Sequence, residues 1–233
     1  MHLKTILLTR PPGANKSLAD LFRADGLLPV VRPLIELAEK PVDQEMKRIA
    51  LDLDRYDKII FVSKSSVRFG LPILENYWPQ WPQSLSWFAV GPRTAHYLKI
   101  EDLEVYSPSL ASSEGLLAMN ELQAPMGKKV LIVRGVGGRE TLKEGLEGRG
   151  ALVDYAEVYR RDLIDYESAE WLPSGEKVFA LVHSGEALIH LSKLLGSLLT
   201  QYCLIVPSRR LQLMAIDEGF GTVSYPHLML PTT

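Results

Sequence analysis

The sequence is poor in the residues that would announce several common chemistries. Its 233 residues hold one cysteine, Cys203, set in the apolar run YCLIV. That excludes an internal disulfide and a thiolate metal cage, and it predicts a buried strand position in a reducing, cytoplasmic setting. The five histidines, His2, His96, His183, His190 and His227, show neither HExxH nor another tight ligand spacing, so no metal is expected. There is no GxSxG nucleophile elbow and no Walker lysine. A formal charge of −2 removes the global positive field of a nucleic-acid binder. No stretch approaches the roughly 20 apolar residues of a membrane span, and the opening MHLKTILLTRPP is too short in apolar residues for a signal peptide.

What the chain does contain is a segment written twice. Residues 6 to 36, ILLTRPPGANKSLADLFRADGLLPVVRPLIE, recur without a gap as residues 130 to 160, VLIVRGVGGRETLKEGLEGRGALVDYAEVYR. Arg10 pairs with Arg134, Leu18 with Leu142 and Gly26 with Gly150. A second similarity joins KIIFVSKSSV to VFALVHSGEAL and aligns Ser63 with Ser184. A weaker one joins VGPRTAHYL to VPSRRLQLM and aligns Val90 with Val206. The spacing between copies shrinks along the chain, as differing loop lengths require, and the later copy reads as truncated. Two similar domains of roughly 100 residues each are expected, both large enough for a core.

Strand-sized apolar runs such as TILLT, KIIFV, KVLIV and CLIV alternate with amphipathic runs such as SLADLFRADG and SGEALIHLSKLL. That alternation predicts an α/β fold with parallel sheets built from right-handed βαβ units. Gly26, Gly150 and Gly219 each follow an amphipathic run, where a helix C-terminus favours a left-handed residue. Ser63, Ser65, Ser113, Ser184 and Ser208 sit at or near the opposite ends, where a hydroxyl caps free N–H groups. The proline-marked and charged stretches RPLIELAEKPVD and VYRRDLIDYES follow corresponding strands and read as hinges. Trp78, Trp81 and Trp87 in NYWPQWPQSLSW read as a loop held by local aromatic packing, with ligand stacking as the alternative.

Open parallel sheets bind ligands at the carboxyl ends of their strands, where helix N-termini present unpaired N–H groups. Here those ends are TRPPG, VSKSS, VGPRT, VRGVGGR, HSGE and VPSRR, rich in glycine, hydroxyls and arginine. They suit a ligand with several carboxylates or phosphates. In RGVGGRE a dinucleotide fingerprint would need a third glycine where Glu140 stands, so nucleotide binding is disfavoured. Gly137 and Gly138 could equally form a tight strand-to-helix turn, and Arg10, Arg134 and Arg139 could equally pair with surface carboxylates. Tyr159, at the end of ALVDYAEVY, is either a half-buried strand aromatic or a proton donor to a departing oxygen.

Taken in order, TRP, a strand ending in serine, VGPRT, SEGLL, RGVGGRETL, VYRR, a second strand ending in serine and a PSRR helix resemble the uroporphyrinogen-III synthase family over nearly the whole chain. The resemblance implies two flavodoxin-like parallel-sheet domains joined by a two-stranded connector, with the active cleft between them. It places domain 1 at residues 1–34 plus 168–233, domain 2 at 43–155, and the connectors at 35–42 and 156–167. It implies closure of hydroxymethylbilane, a linear tetrapyrrole with eight carboxylates, to uroporphyrinogen III with loss of water and inversion of the last ring. Cationic azafulvene intermediates follow, and no metal or organic cofactor is needed. Tyr159 occupies the family's active-site tyrosine position, and Thr94, Ser63, Ser184 and Ser208 match cleft positions. The substrate-binding expectation extends to Arg10, Ser65, Ser66, Gly91, Ser113, Arg134, Gly137, Gly138, Arg139 and Gly185.

Two departures stand out. Where the family often has threonine before the serine, this chain has Val62 and His183, so contacts of those hydroxyls do not carry over, and His183 is either a carboxylate contact or a strand-end histidine without function. A transient handover from the preceding pathway enzyme is a further expectation, with no nucleic-acid or membrane partner. The competing reading is a non-catalytic two-domain sensor or binding module for an anionic ligand. Within the repeat, Ile35 of the first copy stands where Tyr159 stands in the second, and that asymmetry points to the acid.

Overall fold

The structure, a computed structural model, describes residues 4–99, 103–166, 173 and 178–225. His2, His227 and the expected domain boundary at Ser168 lie outside the described residues. In chain order the strands are β1 (Thr5–Leu8), β2 (Leu28–Val31), β3 (Ile35–Glu39), β4 (Lys58–Phe61), β5 (Ser86–Ala89), β6 (Val105–Tyr106), β7 (Lys129–Gly135), β8 (Leu152–Leu163), β9 (Val178–Leu181), β10 (Tyr202–Ile205) and β11 (Thr222–Ser224). The helices between them are α1 (Lys16–Ala24), α2 (Gln44–Leu51), α3 (Lys64–Glu75), α4 (Pro92–Lys99), α5 (Ser113–Leu117), α6 (Thr141–Glu147), α7 (Gly185–Leu195) and α8 (Arg209–Asp217). The apolar runs fall on the strands and the amphipathic runs on the helices, as their periodicities require.

The chain divides into two units, residues 1–37 with 162–233, and residues 38–161. In the first, the strand order is β11-β10-β9-β1-β2, with every pair parallel. Numbered within the unit, that is the 2-1-3-4-5 order of flavodoxin-like sheets. The second has the order β8-β7-β4-β5-β6, again parallel, with β3 outside β8.

These two orders explain the repeat. β1-α1-β2 corresponds to β7-α6-β8, β9 to β4 and β10 to β5, so both units follow one lateral plan with the chain opened at different points. The first unit begins on the repeated segment, and the second ends on it. β11 pairs with β10 as β6 pairs with β5. The later copy therefore carries its final strand, which corrects the expectation that it is truncated; β11 escapes notice because TVS is only three residues long.

The chain passes between units inside β3 and β8. Lys40 N donates to Val158 O and Ile164 N to Leu34 O, a pairing that runs in opposite chain directions and makes the two strands an antiparallel connector. Parallel central strands are buried on both faces, which is why β4 and β7 read as unbroken apolar runs. Leu7, Val178, Ala180, Leu188, Leu191 and Leu204 centre the core of the first unit. Ile60, Phe88, Val130, Ile132, Leu142 and Leu146 centre one core of the second. Cys203 is buried in β10.

The tryptophan tract packs locally, as expected. Trp87 is buried in β5, Trp81 meets it edge-on at 4.9 Å, and Trp78 Nε1 donates to Ala50 O at 2.7 Å. Among the described residues no helix is long and apolar enough to cross a membrane.

Candidate active site at the strand ends of the second unit

In a doubly wound sheet the crevice opens where the strand order reverses, and in the second unit that is between β7 and β4. β4 ends at Phe61 and hands over to Ser63, the N-cap of α3. β7 ends in Arg134 and Gly135, and its pairing with β8 is irregular there. Arg134 faces Glu157 but Gly135 faces Tyr159, so one residue of β8 bulges. A bulge brings neighbouring side chains toward one face instead of alternating them. Both Val158 and Tyr159 are consequently buried against α3, where Phe69 stacks on the Tyr159 ring at 5.5 Å and 29°.

The Tyr159 hydroxyl lies 3.3 Å from Ser63 Oγ, and Val136 N donates to Tyr159 O at 2.8 Å. Gly135 is what admits the ring: a Cβ there would sit 2.6 Å from Tyr159 Cε2 and Cζ. The two tyrosines Tyr155 and Tyr159, with Val62, Ser113, Arg139 and Arg161, help to line a cavity of about 180 Å³.

The RGVGGRE loop closes one side of that cavity, and its arginine is turned inward. Arg134 is 5% exposed; it donates from Nε to Gly135 O, from Nη1 to Glu140 Oε1 at 3.0 Å, and from Nη2 to Gly137 O. Its guanidinium lies 4.4 Å over the Tyr155 ring, and Lys143 Nζ lies 4.8 Å from the same ring. Tyr155 in turn donates to Glu140 Oε2 at 2.6 Å. That hydrogen bond and Arg134 hold the Glu140 carboxyl below its ordinary range. Arg134, expected to contact substrate, thus braces its own loop while also lining the cavity. Gly138, at φ +109, leaves the space that Arg134 Nη2 occupies, since a Cβ there would lie 2.7 Å from it. Replacing Arg134 with alanine removes its bonds to the buried Gly135 O and to the exposed Gly137 O and Glu140, together with its contact on the Tyr155 ring, and is expected to lower unfolding stability by about 2 kcal/mol, readable as a shifted urea midpoint.

Two of the expected serines sit differently from an N-capping hydroxyl, and Ser113 still lines the cavity. Ser66 is fully buried, donating from Oγ to Ser63 O at 2.6 Å and accepting from Ser63 N at 3.0 Å. It completes a capping box and presents nothing to a ligand. The cap of α5 is Ser112, whose Oγ accepts from Gly115 N at 3.0 Å, so Ser113 is the first helical residue and not the cap. Ser65 is half-buried in the first turn of α3, Thr94 is buried in α4, and Arg139 is exposed on the loop. Gly91 packs against Ala111, where a Cβ would come within 2.5 Å.

The corresponding reversal in the first unit lies between β1 and β9. Thr9 Oγ1 ties the two strands by donating to Leu181 O at 2.6 Å. Arg10 is half-buried just beyond it. Ser184 caps α7 through Ala187 N, and Ser208 caps α8 through Leu211 N. Gly185 opens α7 against Met214, whose Cε would lie 2.9 Å from an added Cβ.

His183 is pushed down to about 4, by burial first and then by the Arg10 charge, and its Nδ1 is buried without a hydrogen-bond partner. It is thus a neutral imidazole at neutral pH. Because the unfolded histidine titrates near 6.5, stability is unaffected above that pH and falls as pH drops from 6.5 toward 4. His183→Thr is expected to flatten that part of the stability curve by about 1 kcal/mol, the half-exposed ring being partly screened by solvent, measured by urea unfolding at pH 7 and pH 4.5.

Sequence reasoning missed the Tyr155–Glu140–Arg134 clasp and the partner ring Phe69. The i to i+6 spacing of Arg134 and Glu140 across two glycines was the available signal for the clasp. It also missed Asn15, which is 3% exposed and donates Nδ2 to Arg10 O at 2.8 Å. Among the described residues no group of histidine, cysteine, aspartate and glutamate could hold a metal ion.

Residues 16–227 match the family model described as Uroporphyrinogen-III synthase HemD. The chain is 34% identical over 232 residues to uroporphyrinogen-III synthase of Salmonella typhimurium strain LT2, covering 94% of this chain and 93% of that protein. It is 32% identical over 231 residues to uroporphyrinogen-III synthase of Escherichia coli strain K12, with the same coverage. In fold it is similar to the crystal structure of uroporphyrinogen-III synthetase from Helicobacter pylori 26695, with a TM-score of 0.61 at 18% identity over 97% of this chain and 95% of that one.

Proposed function

The chain belongs to the uroporphyrinogen-III synthase family, and on that premise we infer that it closes hydroxymethylbilane to uroporphyrinogen III, with inversion of the last ring and loss of water. The observation that carries the chemistry is the placement of Tyr159. Its hydroxyl sits at the strand-order reversal of the second unit, on a bulge that no regular strand would supply, at a cavity lined by arginine and backbone amide loops.

Loss of the hydroxymethyl hydroxyl breaks a C–O bond and leaves a cationic azafulvene. The departing oxygen needs a proton, and the Tyr159 O–H is proposed to give it. A cavity of about 180 Å³ is small beside the roughly 300 Å³ at which ligand pockets begin, so it suits the reacting terminus of the substrate and not the whole tetrapyrrole. Arg139, Ser65 and Thr94 in this unit, and Arg10, Ser184, Gly185 and Ser208 in the other, are proposed to meet substrate carboxylates through side chains and neighbouring amides. Much of the remaining rate enhancement is then orientation of a flexible chain so that its ends meet.

The reaction is proposed to run in the cytoplasm, consistent with a lone buried cysteine. Direct handover from the enzyme that makes hydroxymethylbilane is proposed because that substrate closes by itself to the type I isomer, and a shorter free lifetime reduces the loss. A binding module would instead retain one equivalent of ligand per chain. With substrate in large excess over protein, consumption beyond one equivalent and faster than spontaneous closure is expected. Consumption that stops at one equivalent would leave only binding.

A further inference from the structure

Ser63 belongs to the expected substrate-binding set, yet its hydroxyl is committed inside the protein. Ser63 Oγ accepts the N–H of Ser66 at 3.0 Å, as the N-cap of α3. Turning away would break that bond, one half of the capping box whose other half is Ser63 N donating to Ser66 Oγ at 3.0 Å. With one lone pair used, the Ser63 hydroxyl still has its own proton to place, and Tyr159 Oη lies 3.3 Å away. The tyrosine is no freer, held by the Phe69 stack and by the space that Gly135 leaves.

We infer that Ser63 is a positioning residue that donates its hydroxyl proton to Tyr159 Oη, so that the phenolic proton points outward to the departing oxygen. The hydrogen bonds then run in one direction, from Ser66 N–H through Ser63 O–H to Tyr159 O–H and the substrate, and each polarises the next. This rests on Tyr159 being the donor, as proposed above. In the step itself the C–O bond breaks with its electron pair on oxygen, which takes the Tyr159 proton and leaves as water. The phenolate formed receives the Ser63 hydroxyl and faces the N-terminus of the 12-residue α3, whose dipole favours negative charge. The proton released as the new ring closes restores the phenol.

A double-mutant cycle tests the relay. Steady-state turnover and thermal stability are measured for wild type, Ser63→Ala, Ser63→Thr, Ser63→Asp, Tyr159→Phe and the Ser63→Ala/Tyr159→Phe pair. A hydrogen bond to a developing charge corresponds to about a tenfold to hundredfold change in rate. Ser63→Ala is therefore expected to lose that much kcat with little change in KM. Ser63→Thr keeps cap and hydroxyl and is expected to recover most of it. Ser63→Asp keeps the cap but has no proton to give, and is expected to stay folded and as slow as the alanine variant. In the Tyr159→Phe background the alanine change is expected to cost nothing further. An equal loss in that background would mean that Ser63 touches substrate directly and would overturn the relay alone. Full activity in Ser63→Asp would overturn it as well. Wild-type turnover in Tyr159→Phe would overturn the donor assignment, and the relay with it.

Discussion

Tyr159→Phe is expected to lower turnover by about a hundredfold or more while leaving the protein folded, because general-acid assistance is typically worth about 10²–10⁴ in rate. The structure gives the removed oxygen little structural work. It makes a 3.3 Å contact with Ser63 Oγ, whereas the ring keeps its stack on Phe69 and its backbone keeps the bond from Val136 N. Loss of so long a neutral hydrogen bond costs about 1 kcal/mol or less. The kinetic pattern matters as much as the size. A contact made only as the C–O bond breaks lowers kcat and leaves KM nearly unchanged. If Tyr159 were merely a buried strand aromatic, phenylalanine would fill the same space and turnover would stay at the wild-type value.

Gly135→Ala is expected to lose nearly as much activity without touching a reactive group. The new Cβ would sit 2.6 Å from two ring atoms of Tyr159, closer than real Cβ contacts come, and the ring is already held by its stack on Phe69. Either the ring or the bulge has to move. Misplacing a reacting group by about 1 Å can cost about a hundredfold in rate, and overpacking a close-fitting site costs about 1–3 kcal/mol of stability. Turnover and thermal midpoint should therefore fall together, unlike in Tyr159→Phe, where turnover falls alone. Gly221→Ala makes a suitable control, since a Cβ there meets nothing within 4 Å, and it is expected to leave both quantities unchanged. Wild-type turnover in Gly135→Ala would mean that the placement of Tyr159 does not matter.

Much of this architecture was legible in the sequence because it is carried by local pattern. Apolar runs of strand length, amphipathic runs of helix length and the duplicated segment were enough to read parallel α/β units. The ungapped pairing of Arg10 with Arg134 marked corresponding strand ends, and the replacement of Ile35 by Tyr159 marked where the copies diverge. Four features were not legible, each for a stated physical reason. The lateral strand order depends on contacts between segments far apart in the chain, so one sheet plan opened at two points looks like a simple repeat. The bulge at Tyr159 is a property of the pairing of β7 with β8, and VYRR carries no residue that demands it. The inward turn of Arg134 follows from a partner six residues away and from an aromatic face on the neighbouring strand. The cap of α5 moved one residue, from Ser113 to Ser112, because two adjacent serines offer the same chemistry and only backbone conformation chooses between them.

The asymmetry between copies also acquires a physical meaning. At the reversal of the first unit stands His183, neutral and half-buried beside Arg10; at that of the second stands Ser63, capping a helix and facing Tyr159. One sheet plan thus presents a cation and an imidazole in one unit and a phenol beside a serine hydroxyl in the other.

The most direct test is the identity of the product isomer. Fresh hydroxymethylbilane incubated with a catalytic amount of the protein, then oxidised and resolved chromatographically, is expected to yield predominantly the type III isomer, with its last ring inverted. The Tyr159→Phe variant is expected to drift toward the spontaneous type I product as turnover falls. Type I product alone from the wild-type protein, at the rate of the buffer blank, would contradict the assignment of this chain as the ring-inverting cyclase.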